Sequence, residues 1–449
     1  MKTKEYNSMK TKSIQLSPPQ LLVAVFGVCI IAGAVLLKLP FSTTHSIKWI
    51  DAMFTATSAM TVTGLAVMDT GTEFTIFGQI VIMCLIQLGG LGIMSFAVLI
   101  FMVLGKRIGF KQRLLIQQSL NQTNIGGVIR LVKHLFIFSF LIEGVAMLFL
   151  AIRWVPEYGW GKGLYYSLFH SISSFNNAGF ALWSDGLTRY VGDPIVNVTI
   201  SLLFIIGGIG FTVLVDIWQK RSYKKLSLHS KMMLIGTLVI NTVAMILIFF
   251  LEYANPKTLG GLDWSEKVWA AYFQAVTTRT AGFNTIDIGS MDESTIFLML
   301  LLMFVGAGSA STGGGIKLTT FIIIILAVLA FLRARDDLNI LKRRIDVSFV
   351  FRALAISTMG VLFIFSAIFI LNISESERIP FLELVFEVIS AFGTVGLSMG
   401  VTADLSDFGR FIIIFIMFLG KLGPLTLAFS LAKPQRSAIR YPSEDVLTG

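Results

Sequence analysis

The sequence predicts an all-α polytopic membrane protein. Four parallel units, each an outer helix, a re-entrant pore helix with its loop, and an inner helix, are expected to surround one axis. Three observations predict this. Of the 449 residues, 55% are hydrophobic and only 14% are charged, a balance unlike that of soluble domains. Apolar stretches recur along the chain, most of them near the ~20 residues that cross the hydrocarbon core as a helix. A glycine motif also recurs four times, and such internal repetition is the mark of a repeat architecture.

The apolar stretches are Leu21 to Leu37, Phe74 to Leu104, Leu135 to Leu150, Val196 to Val215, Met232 to Leu251, Thr295 to Val305, Ile316 to Leu332, Val350 to Leu371 and Phe411 to Leu431. If Thr295 to Val305 and Ile316 to Leu332 are one broken helix, the chain crosses eight times. The basic start, MKTKEYNSMKTK, leads into the first apolar run with no small-residue cleavage site, so that run reads as a membrane helix. The units fall at 20–105, 130–218, 219–332 (with the broken inner helix) and 333–432. A cytoplasmic N-terminus (1–19), a basic linker (106–129) and a cytoplasmic tail (433–449) complete the chain.

Net charge is +10, and its distribution explains it. Eight crossings put 24 of the 36 Lys and Arg on one side and 18 of the 26 acids on the other. Basic loops stay inside, so both termini are expected in the cytoplasm of a cell-membrane protein. The basic balance then predicts no nucleic-acid partner. The acidic outer face attracts cations weakly, through salt. The basic loops suit anionic lipid or an acidic partner equally. Cys29 and Cys84 lie in apolar runs as packing residues. The four histidines are scattered, without metal-site spacing. No nucleophile elbow, Walker motif or dinucleotide fingerprint stands out, so no enzyme and no nucleotide bound by this chain are expected.

The anchors of the repeat are Gly64 (MTVTGLAV), Gly179 (FNNAGFAL), Gly282 (RTAGFNTI) and Gly396 (GTVGLSMG), spaced by 115, 103 and 114 residues. Ten residues before them stand Phe54, Phe169, Tyr272 and Phe386. Five before stand Ala59, Ser174, Thr277 and Ala391, and one after stand Leu65, Phe180, Phe283 and Leu397. Further on, GGLG (from Gly89), GGIG (Gly207), GAGS (Gly306) and GKLG (Gly420) lie in the next apolar run. Single glycines are common packing residues in membrane helices, but four anchors in phase are not explained that way. The segments Trp49 to Met60, Gly163 to Phe175, Trp264 to Val276 and Pro380 to Phe392 are too short to span and suit re-entrant helices. Backbone leaving them at membrane depth must be covered by protein or by water. Four such loops around an axis cover one another, and their carbonyls face inward. Glycine allows the backbone angles this needs. The TVG of the fourth copy is a triplet that potassium filters use. The expected ion ligands are therefore the carbonyls of Val62, Thr63, Gly64, Asn177, Ala178, Gly179, Thr280, Ala281, Gly282, Thr394, Val395 and Gly396, with potassium as the bound metal.

TVTGLAV, NNAGF, TRTAGFNT, GTVGLSMG, GAGSASTGGGIK, GPLT and RYPSEDVLTG together resemble the Trk/Ktr/HKT superfamily of potassium transporters. The likeness is strongest to the KtrB/KtrD-like membrane subunits of bacterial Ktr uptake systems, and it covers nearly the whole chain. The resemblance implies a potassium-channel-like fold and a homodimer with one pore per protomer. It implies a cytosolic RCK-type ring that binds ATP or ADP and gates the pore, and uptake of K+ stimulated by Na+. A serine at the first-loop glycine goes with sodium selectivity in plant members. Gly64 therefore implies preference for K+ and Rb+ over Na+, less strict than in dedicated channels. The resemblance also tucks the C-terminal tail into the dimer interface.

Gly306 to Gly315 interrupts a helix with five glycines in ten residues, each costing about 1 kcal/mol in a helix interior. This predicts an unwound gate loop below the filter, formed by Gly306, Gly308, Ser309, Ser311, Thr312, Gly313, Gly314 and Gly315. The alternative is a small-residue packing surface. Lys421 is a membrane cation and by default functional. It is expected opposite the gate as a barrier, or else snorkelling to the inner surface. Relatives usually carry Arg there, and Lys lacks its planar fork. Arg279 and Glu387 stand behind pore loops as braces, unless Arg279 snorkels outward. Asn176 and Asn177 suit hydrogen bonds to neighbouring loops. Two other functions compete with the uptake reading. A sodium- or proton-coupled secondary transporter would show inverted repeats and intramembrane acids, whereas these repeats are parallel and Glu143 is the one mid-helix acid. A membrane scaffold leaves the four glycine loops unexplained.

Overall fold

In the computed structural model, residues 18–92, 95, 128–335, 337–431 and 444 are described. The N-terminal segment, most of the basic linker, the end of the first inner run and nearly all of the C-terminal tail lie outside them.

Among the described residues the chain runs through α1 (Pro18–Leu37), α2 (Trp49–Thr61), α3 (Ile76–Leu91), α4 (Val128–Phe175), α5 (Pro194–Ile209) and α6 (Phe211–Lys220). It continues through α7 (Leu228–Glu252), α8 (Trp264–Thr277), α9 (Glu293–Phe304), α10 (Leu318–Leu332) and a hairpin of β1 (Leu338–Ile340) and β2 (Arg343–Ile345) joined by a two-residue turn. It ends with α11 (Val347–Glu375), α12 (Phe381–Gly393), α13 (Asp407–Leu422) and α14 (Pro424–Leu431). Among the described residues four helices are long and apolar enough to cross a membrane: Pro19–Leu37, Leu131–Phe175, Leu228–Glu252 and Val347–Glu375. The pair α5 and α6, bent by 93° at Gly210, adds a fifth.

The short helices match the segments read as re-entrant: Trp49–Thr61, Trp264–Thr277 and Phe381–Gly393 each stand alone. The second is continuous with the long helix before it, and α4 turns at Gly159, where φ is +81°. Glycine absorbs that reversal because no Cβ opposes it. Three of the four helices that follow the loops start on capping side chains. Thr75, Asp193 and Ser406 accept from the backbone N–H groups of Gly78, Ile195 and Gly409, satisfying donors that the helix leaves free.

Sequence reading placed a helix break only at Gly306 to Gly315. The structure breaks two further apolar runs, at Gly210 (φ +107°) and Gly423 (φ +84°), and α3 ends at Gly92 (φ +83°). Each is the last glycine of a GGIG, GKLG or GGLG quartet. A single positive-φ glycine ends a helix, and hydropathy averages over it.

Apolar packing links the quarters in a cycle. One core joins Ala56 and Ile82 to Phe169 and Phe180. A second joins Phe204 to Phe273 and Phe283, and a third joins Met299 to Phe386 and Val395. The fourth joins Phe392 and Ile416 back to Phe54 and Leu65. Polar contacts reinforce this last seam: Arg410 pairs with Asp51 at 2.5 Å and Lys48 with Asp407 at 3.3 Å.

Candidate functional site

The four glycine loops meet. A methyl group on Gly64 would lie 2.5 Å from the Ala178 carbonyl oxygen, and one on Gly179 3.0 Å from that of Ala281. On Gly282 it would lie 2.5 Å from the carbonyl of Val395, and on Gly396 2.0 Å from that of Thr63. Each anchor glycine thus abuts the carbonyl just before the next anchor, and the fourth abuts the first. Eight of the twelve residues named from sequence, a glycine and a carbonyl from each loop, close one ring. Every gap in it is too small for a Cβ.

The backbone within each loop alternates in hand. Two residues before each anchor, Val62, Asn177, Thr280 and Thr394 have φ of +51°, +58°, +61° and +48°; the anchors themselves lie at +95°, +70°, +79° and +90°. Alternation of right- and left-handed backbone turns successive carbonyls toward one side. Left-handed φ is unfavourable for any side chain and most so for β-branched ones, which three of the four are. Such strain, about 1–3 kcal/mol per residue, persists where surrounding contacts over-determine it.

Those contacts are hydrogen bonds from the loop back onto the end of the pore helix. In the first loop, the N–H groups of Val62 and Thr63 donate to the carbonyls of Ala59 and Ser58, and Gly64 N–H donates to Ser58 Oγ at 3.1 Å. The fourth loop repeats this set on Ala391 and Ser390, again with 3.1 Å from Gly396 N–H to Ser390 Oγ. In the second and third loops the hydroxyl donates instead: Ser173 Oγ to Phe180 O at 2.8 Å, and Thr277 Oγ1 to Phe283 O at 2.6 Å. Serine recurs six residues before three anchors, a signal the sequence reading passed over.

The third loop is one residue shorter. Ala281 N–H bonds to a carbonyl four residues back, at Thr277, whereas Ala178 N–H reaches five back, to Ser173. The fully buried aromatic of that helix is therefore Phe273, with Tyr272 half-buried. Counting back from the glycine chose Tyr272, because a one-residue deletion between helix and anchor is invisible to fixed spacing.

Directly against the ring lies the segment between α9 and α10. Thr312 Oγ1 donates to Asn177 Oδ1 at 2.6 Å, and Gly314 N–H donates to Thr394 Oγ1 at 2.9 Å. A methyl on Gly313 would strike Thr280 Oγ1 at 2.1 Å. The segment thus touches the left-handed residue of three of the four loops. Its backbone is tied sideways as well: Gly308 N–H to Gly208 O (2.8 Å), Gly315 N–H to Gly420 O (3.2 Å) and Gly306 N–H to Ile316 O (2.8 Å). Ser311 Oγ caps Gly308 O, and Ser309 Oγ lies 3.4 Å from Thr319 Oγ1.

Lys421 donates its ammonium to the Thr312 carbonyl. Lys317, which sequence reading left out of the site, donates to the Gly313 carbonyl at 2.7 Å. Two cations therefore hold adjacent carbonyls of the loop, through charge-assisted bonds. Lys317 borders the glycine run inside an apolar segment, and that was the signal available for it. Arg279 does not snorkel outward. It is buried, and Nη2 donates to Gly306 O at 3.3 Å, at the root of the same loop. Glu387 accepts from Thr402 Oγ1 at 2.5 Å, behind the fourth loop. Asn177 reaches Thr312 and, at 3.5 Å, Thr280, whereas Asn176 turns away to Gln87 (2.7 Å) and Glu143 (3.2 Å). The site brings together a ring of four loops, each with its glycine against the next loop's carbonyl, and a glycine loop pinned by two lysines.

Residues 20–441 match the family model described as "TrkH: Cation transport protein". The chain is 59% identical over 438 residues to the "Ktr system potassium uptake protein B" of Bacillus subtilis, covering 98% of both. It is 43% identical to the protein of the same name in Vibrio alginolyticus, covering 96% of this chain and 95% of that one. With the "Potassium/sodium uptake protein NtpJ" of Enterococcus hirae it shares 37% identity, over 97% of this chain and 98% of that one. The crystal structure of the potassium transporter TrkH from Vibrio parahaemolyticus superposes with a TM-score of 0.73 at 19% identity, covering 95% of this chain and 87% of that one.

Proposed function

The chain belongs to the TrkH family of cation transport proteins, and from that membership we propose that it is the ion-translocating membrane subunit of a potassium uptake system. The observation that carries this is the ring closed by Gly64, Gly179, Gly282 and Gly396. Each loop sets its glycine against the next loop's carbonyl, and a ring of carbonyls of this kind replaces the water around a partly dehydrated cation. The names of the similar proteins support potassium as cargo. The relative named for potassium and sodium keeps sodium in play.

The chain crosses the cell membrane eight times with both termini inside, and the ring prefers K+ and Rb+ over Na+. Transport is channel-like, down the electrochemical gradient. An interior at −100 mV gives a monovalent cation about 2.3 kcal/mol, roughly a 50-fold accumulation. The loop from Gly306 to Gly315 is the gate, closed by Lys317 and Lys421. Two copies of the chain dimerise on a cytosolic nucleotide-binding ring that opens the gate, and sodium stimulates uptake.

The test is Rb+ uptake in a bacterium lacking its own potassium uptake, with and without excess Na+. The wild-type chain is expected to restore uptake, and Gly64→Ser and Gly396→Ser to lose preference for K+. If both serine variants transport like wild type, the glycines only pack helices and a coupled secondary transporter becomes the better reading.

A further inference from the structure

Behind the gate loop lies a small cavity of about 20 Å³, bounded by α5, α7, α8 and the root of the loop at Ala307. Three polar side chains line it with an atom that has no partner: Arg279 Nε, Thr237 Oγ1 and Asn241 Oδ1. Arg279 and Thr237 are both 8% exposed. Thr237 and Asn241 lie four residues apart on α7, hence on one face. Among the described residues no carboxylate pairs with Arg279.

The chemistry of these atoms selects the occupant. Arg279 Nε–H only donates, Asn241 Oδ1 only accepts, and the Thr237 hydroxyl does either. A cation is repelled by the guanidinium. An anion is met by the Asn241 oxygen. A water accepts from Arg279 and donates to Asn241 and Thr237, giving the usual three bonds of a buried water. The volume holds one, since a water needs on the order of 10–15 Å³.

We infer that Arg279, Thr237 and Asn241 hold one buried water, and that this bridge fixes Arg279 on the Gly306 carbonyl as a latch on the root of the glycine loop. The inference rests on reading that loop as the gate. Arg279 is here a positioning residue. The bridge ties the loop to α7, a long helix that otherwise stands outside the ring, so movement of α7 shifts the latch.

The experiment compares full-length wild type with Thr237→Val, Thr237→Ser and Thr237→Val/Asn241→Leu. Three quantities are read: map density at a resolution that shows ordered water, the melting temperature, and Rb+ flux into proteoliposomes holding the chain alone. A bridged water predicts density in wild type, none in the double variant, a lower melting temperature for Thr237→Val, and near wild-type behaviour for Thr237→Ser. It also predicts partner-free flux about fivefold higher in the double variant, the scale of one lost hydrogen bond. A dry cavity in wild type overturns the proposal. So does a higher melting temperature for Thr237→Val, because removing an unbridged buried hydroxyl stabilises. If the water is present and lost as expected, but flux rises only when Ser309 to Gly314 are deleted, the latch is refuted and the gate stands. If that deletion leaves flux unchanged, the gate reading fails and the latch fails with it.

Discussion

Two helix breaks in this molecule have different designs. At Gly423 the run from Asp407 to Leu431 is interrupted by one residue, with φ of +84° and nothing within 4 Å of where a Cβ would sit. Between Phe304 and Leu318 the break takes thirteen residues, and these reach Asn177, Thr280 and Thr394. One glycine is enough to end a helix. The additional residues therefore serve contact with the ring, and their small size is what lets them fit beneath it.

The comparison breaks most sharply by making the second site resemble the first. Deletion of Ser309 to Gly314 should raise partner-free Rb+ flux by an order of magnitude or more, since it removes every bond from the loop to the ring; proteoliposome uptake measures this. Unchanged flux would mean that the long break is only a packing device.

A smaller effect is expected at the lysine pins. Lys421→Gln keeps a donor near the Thr312 carbonyl but removes the charge. Hydrogen bonds to charged groups contribute about 1.5–3 kcal/mol and neutral ones about 1 kcal/mol, so with a neutral donor retained and Lys317 still holding Gly313 flux should rise about fivefold, and further in the double variant Lys317→Gln/Lys421→Gln. A double variant no leakier than the single would show that the lysines do not hold the loop together.

The smallest effect belongs to the single-residue break. Gly423→Ala forces a Cβ into a positive-φ position and should cost about 1–3 kcal/mol of stability, seen as a lower melting temperature with uptake unchanged. A large change in uptake would show that this break too bears on ion passage, and the two designs would no longer be distinct.

The short helices were legible in the sequence nearly to the residue. The apolar segments Trp49 to Met60, Trp264 to Val276 and Pro380 to Phe392 are bounded by polar or glycine-rich turns, and α2, α8 and α12 agree within one residue at each end. The anchors were legible because glycine is required wherever backbones meet at 2.0 to 3.0 Å from a would-be Cβ. Other features were hidden. The bend at Gly210 leaves hydropathy unchanged on both sides. The join of outer and pore helix through Gly159 looks like a loop, because Pro156 and two further glycines surround it. The one-residue shortening of the third loop can be found only from hydrogen bonds. Side-chain direction was also out of reach: Arg279 is as compatible with snorkelling as with a bond to Gly306 until α8 and the loop are placed together.

The ring closes between Gly396 and the Thr63 carbonyl, so its last seam joins the first quarter of the chain to the fourth. Chains are made from the N-terminus and fold part by part during synthesis. Three quarters can insert while Phe54, Leu65 and Asp51 still lack Phe392, Ile416 and Arg410. A ribosome that stalls before the fourth quarter would thus release an open three-sided groove whose carbonyls ring no axis. The order of translation makes completion of the polypeptide a condition for closing the ring, and an unfinished chain leaves the apolar face of Phe54 and Leu65 without its partners.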